Sequence, residues 1–107
     1  MGIFDDRQNA SEKRFVLDSA KEFKAQARRN KMLGLWAAER MGLKTEEREP
    51  FAQKVIVADM EEAGDEDVFR FVMNALSERQ TGVREEELRA KMDELLFEAR
   101  KGVAEED

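Results

Sequence analysis

Arg28, Arg29 and Lys31 place three cations within four consecutive positions, and Trp36 follows five residues later. Guanidinium forks and an ammonium suit phosphate oxygens, and an indole face can stack on a base. The four side chains could therefore hold a purine nucleotide. A plainer reading buries Trp36 in a core, as Trp usually is, and leaves the cations in water or against acidic neighbours such as Glu61 and Glu62. A second cluster, Asp65-Glu66-Asp67, could touch a cation. It lacks the central Gly and distant Glu of a calcium loop, and capping of a helix accounts for it better. The chain has no His and no Cys. That removes the commonest general base and transition-metal ligand and the thiol nucleophile, and leaves a serine without its usual partner. The glycines are scattered, so no phosphate-cradling loop forms. These residues assemble no catalytic or metal site and need no cofactor. They describe a protein that works by interaction, not an enzyme.

The elements that must carry these residues read as helices throughout. Charged residues are 41% of the chain, apolar residues another 41%, and Pro occurs once, at position 50. That is the composition of amphipathic helices. Phe23, Ala27, Leu33, Ala37 and Met41 fall near one face of a helix over about 20–42, with Gly42 as its terminator. Gly34 lies inside it, at a cost of ~1 kcal/mol against Ala, and reads as a close helix–helix approach. Thr45 is a good N-cap for a second helix, followed by Glu46 and Glu47 at its positive end. Pro50 suggests an irregular start that becomes regular from that point. Phe51, Val55, Ile56 and Met60 form the buried face of this helix. Gly64 then ends it, and Asp65 caps a third helix carrying Val68, Phe69, Val72 and Leu76 to about Arg79. "TG" at 81–82 connects to a last helix over about 84–101, with Leu88, Met92, Leu95 and Ala99 on its face. No stretch alternates as a strand would. Short connections imply antiparallel neighbours. The expectation is an all-α protein, a small antiparallel four-helix bundle over residues 20–101, with a frayed acidic tail over 102–107.

Residues 1–19 read differently, as a partly flexible helical arm. From Asp5 to Arg14 the only apolar residue is Ala10, so the segment has no stripe with which to dock on its own bundle. Ile3 and Phe4 nevertheless sit at its tip and Phe15 near its base. Charge separates the same parts. Residues 1–31 hold eight Lys/Arg and five Asp/Glu, net +3, and residues 32–107 hold eleven and twenty, net −9. The acidic body argues against nucleic acid as a partner, because phosphate binding needs a basic footprint. No apolar run approaches the ~20 residues that span a bilayer, and no signal peptide opens the chain. With no Cys, a reducing cytoplasm fits.

Three stretches carry a resemblance: "FDDR" at 4–7, "ARRNKMLGLWAAERMGL" at 27–43 and "EEAGDEDVF" at 61–69. Together they resemble the zeta subunit family of alphaproteobacterial F-type ATP synthase. The resemblance implies a helical bundle whose N-terminal segment inhibits ATP hydrolysis. The resemblance implies that this segment enters a catalytic interface between the alpha and beta subunits of the head and reaches toward the gamma stalk. Carried over, the inhibitory residues are Ile3, Phe4, Asp5, Asp6 and Arg7, then Glu12, Lys13, Arg14 and Phe15. The partners implied are the alpha, beta and gamma subunits, with the protein held at the membrane-bound synthase without inserting into the bilayer. The resemblance also implies purine-nucleotide binding in some members, so a helical sensor of ATP and ADP is the alternative function. Physics is consistent with the arm: a helix of about a dozen residues is marginal alone in water, and it could fold in a cleft. Lys13, Arg14, Lys21 and Lys24 could steer it toward an acidic rim.

Overall fold

The computed structural model describes residues 17–60 and 64–106, and all statements of structure concern these. The expected inhibitory residues, from Ile3 to Phe15, lie outside them, as do Glu61 and Glu62. Four helices make up the described chain: α1 Ser19–Arg40, α2 Thr45–Asp59, α3 Glu66–Glu78 and α4 Glu85–Glu105. Helix α1 packs along α2 and along α4, and α3 closes against all three. The expected all-α four-helix bundle is the fold observed.

Each boundary has a local cause. Asp18 caps α1, its carboxylate accepting from the Lys21 N–H at 2.8 Å. Gly42 ends the helix in the left-handed region at φ 74°, and the Leu43 N–H returns to the Ala38 carbonyl at 3.0 Å. Thr45 is the first helical residue of α2, one place later than its expected capping role, and Lys44 holds the cap position. The Lys44 N–H donates to the Glu47 carboxylate at 3.1 Å. Arg48 donates to the Leu43 carbonyl at 3.1 Å. With its first turn held this way, α2 is regular from Thr45, and Pro50 lies inside it. The irregular start expected from Pro50 does not occur.

The main core takes Leu33 and Ala37 from α1, Val55 from α2, Val68, Phe69, Val72 and Leu76 from α3, and Leu88, Met92 and Leu95 from α4. Val83, in the last connection, joins them. Phe51 is half-buried and stacks on Phe71, ring centroids 5.6 Å apart. A second, smaller cluster joins Ala25 of α1 to Ala99 and Val103 of α4, with Leu17 and Met32 packed against it.

Three sequence expectations give way here. Phe23, assigned to the buried face, is 68% exposed. It lies on the side of α1 that faces α2 at Gly34, but α2 stops at Asp59, which bonds Asn30 of α1. Phe23 is seven residues further on, about 10 Å along the axis, beyond the end of α2. Met60, also assigned to a buried face, is 69% exposed as the residue that ends α2. The expected frayed tail from 102 is instead helical to Glu105. Val103 is buried against Ala25 and Ala99, and that contact offsets the cost of ordering the last turn.

Gly34 is a close approach, as expected. A methyl built there would stand 2.5 Å from the Ala52 Cα and 2.9 Å from its Cβ. Backbone cannot step aside as a side chain can. Gly34→Ala should therefore destabilise the protein by ~1–3 kcal/mol, despite the ~1 kcal/mol gained in helix propensity. Thermal melts followed by circular dichroism would show it; a variant as stable as the parent would mean that α1 and α2 separate freely.

Candidate functional site

The basic stretch of α1 does not form one site. Arg28, Arg29 and Lys31 leave the helix in three directions and each meets a different element. Arg28 pairs with Glu106, beyond the end of α4, and Lys24 reaches the same carboxylate at 2.7 Å. Lys31 faces Glu49 of α2 at 3.6 Å, both exposed. Arg29 is 1% exposed. Its Nε donates to the Asn30 Oδ1 at 2.8 Å and its Nη2 to Asp65 at 2.8 Å. Trp36 is half-buried against the main core, under two cations that come from elsewhere: Arg40 at 5.3 Å and Lys91 at 5.7 Å from the ring centroid. The residues that could grip phosphate and the ring that could stack on a base are thus not gathered around a common space.

Arg29 and Asn30 are what sequence reasoning missed. Both are buried on the face of α1 that also carries Leu33 and Ala37, and Asn30 Nδ2 donates to Asp59 at 2.8 Å. Asp65, expected to cap α3, occupies the cap position without capping; its carboxylate takes Arg29 instead. This network ties the α2–α3 connection to the middle of α1. No buried side-chain nitrogen or oxygen among the described residues is left without a partner. The apolar period of α1 offered one signal. Buried Ala25, Arg29, Leu33 and Ala37 fall at intervals of four, so Arg29 sits in the row.

The first three turns of α1 carry the residues nearest the N-terminal segment. They are clasped by α4. Arg100 holds Glu22 through Nε at 3.1 and 3.2 Å and through Nη2 at 2.6 Å, a forked pair. Glu106 receives Lys24 and Arg28. The Arg100 hydrogen bond holds the Glu22 carboxyl below its usual range, and the bonds from Lys24 and Arg28 hold Glu106 down to about 2. The Arg89 guanidinium of α4, which also covers the Phe69 ring of α3 at 3.7 Å, holds Glu66 low in the same way.

These shifts set a pH dependence with a definite sign. A carboxyl whose pKa is lower when folded binds more protons when unfolded, so its contribution is present above the unfolded value of about 4.5 and lost as pH falls toward 2. Stability from these pairs should be flat from neutral pH down to about 5 and decline below 4.5. Urea unfolding across pH 7 to 2.5 would measure it, and replacing Glu22 and Glu106 by Gln should flatten the acid limb.

Fold and network together define a small helical bundle whose body is internally satisfied, and no described helix is long and apolar enough to cross a membrane. The model of one family, ATPase inhibitor subunit zeta, matches residues 1–102. The chain belongs to this family of ATPase inhibitor subunits. Three solved chains match. One, a solution NMR structure, is 43% identical, covers 80% of this chain and 98% of its own, and superposes with a TM-score of 0.70. No curated protein matches.

Proposed function

We propose that this chain inhibits ATP hydrolysis by the synthase through its N-terminal segment. Ile3, Phe4, Asp5, Asp6 and Arg7, followed by Glu12, Lys13, Arg14 and Phe15, enter a catalytic interface between the alpha and beta subunits and reach the gamma stalk. The segment acts as a wedge against rotation and performs no chemistry of its own. One observation carries this reading. The family model includes the N-terminal residues, while the described bundle has a complete core and partnered buried polar groups without calling on them.

Physically, such a wedge gains from ends that can bury in the partner. Ile3 and Phe4 supply apolar area at the tip, worth roughly 1.5–3 kcal/mol for each side chain fully buried. Arg7 supplies a fork for a carboxylate. Ordering the segment in the cleft costs backbone entropy, which is set against that gain. The test is ATPase inhibition of the isolated head by the intact chain and by the variant Phe4→Ala with Arg7→Ala. The variant should release faster at a similar association rate, because interface substitutions act mostly on the off-rate. Unchanged inhibition by the variant would remove the tip from the contact.

A further inference from the structure

Of the four helices, α1 is the one that continues into the N-terminal segment, and its first three turns have an unusual setting. Helix α2 ends level with Asn30, where Asp59 accepts from it. Among the described residues, the C-terminal end of α4 supplies the following contacts to the stretch from Leu17 to Arg28. Leu17 and Ala25 pack with Ala99 and Val103. Glu22 is forked by Arg100. Lys24 and Arg28 converge on Glu106. Gly102 lets the Arg28 guanidinium pass: a methyl there would stand 2.8 Å from its Nη1.

We propose that the last turn of α4 with the Glu106 that follows it, together with the Glu22–Arg100 pair, positions the N-terminal segment for inhibition without touching the partner. The inference rests on the reading that this segment is the inhibitory element. A helix end of three turns is marginal in water without tertiary contacts. Freed from α4, the first turns of α1 would fray, and the segment would leave the body in many directions. Each added conformation that must be frozen in the bound state weakens binding. Held by α4, the exit direction at Leu17 is set in advance. Arg100 and Glu106 are then positioning residues more than 80 residues from the tip in sequence.

Five variants of the chain, compared with the parent on the isolated catalytic head, test this. Removal of residues 2–16 tests the underlying reading and should abolish inhibition. Removal of residues 102–107 should raise the half-inhibitory concentration roughly tenfold while the bundle still melts cooperatively. Because that cut also takes Val103 from its cluster, single substitutions at the half-buried Glu22–Arg100 pair supply a milder probe. Glu22→Arg alone and Arg100→Glu alone set like charges face to face and should each weaken inhibition. Combined, they restore an opposite-charge pair and should return potency to near the parent value. If the shortened chain and both singles inhibit like the parent while loss of residues 2–16 abolishes inhibition, the wedge stands and the clasp is overturned. If the combined variant stays as weak as the singles, Glu22 or Arg100 meets the partner directly, and positioning is likewise overturned.

Discussion

A chain lacking residues 2–16 is expected to lose inhibition of the ATPase completely while its bundle melts within about 4 °C of the intact protein. The cut has to fall there. Leu17 packs against the second cluster and Asp18 caps α1, so a deletion that takes them confounds loss of the segment with damage to the body. The buried residues of both clusters, from Ala25 to Val103, remain in the shortened protein. Stability therefore has little reason to change. Inhibition has every reason to, because the wedge itself is gone. Full inhibition by the shortened chain would move the active surface onto the bundle. No inhibition by the intact chain would separate family membership from the activity.

Arg29→Ala should cost ~3–5 kcal/mol of stability, the scale for truncating a large buried side chain and leaving its buried hydrogen-bond partner unpaired. For a domain this size that lowers the melting temperature by ~12 °C or more. Three losses combine. Asp65 loses its charged partner, the Asn30 Oδ1 loses the donor it faces, and the long aliphatic stem of a 1%-exposed side chain leaves a cavity. Asp65→Asn should cost less, because Asn keeps an acceptor oxygen for the guanidinium and position 65 is 46% exposed. Chemical denaturation of both variants would measure the difference. Equal and small effects would mean that the network closes over existing core without adding to it.

Helices α3 and α4 were legible because their partners are internal to the pattern. Val68, Val72 and Leu76, and Leu88, Met92, Leu95 and Ala99, repeat at intervals of three and four, and all are buried. A periodic apolar stripe has one way to avoid water, whichever helix it meets. Gly42, Gly64 and Gly82 were readable as breaks and each adopts positive φ, but the second helix stops at Asp59, ahead of the Gly64 expected to end it. The family signature was legible too, since it is itself a string of residues.

Helix α1 was half legible, and its failures share a cause. Phe23 continues the apolar side of that helix by period, but burial requires a neighbour, and the end of α2 at Asp59 is a fact about another helix. Arg29 and Asn30 look like a solvated face in sequence. They are buried because Asp59 and Asp65, roughly thirty residues away, arrive to satisfy them. The last turn of α4 carries the acidic, Gly-containing composition of a loose end. It is helical because Ala25 and Ala99 receive Val103, and Lys24 and Arg28 receive Glu106. Local pattern was thus enough for the helices, for the apolar faces of α3 and α4 and for the family. Which polar groups are buried and how the start of α1 is held follow from packing, because the energy of a polar or terminal residue depends on a partner distant in the chain.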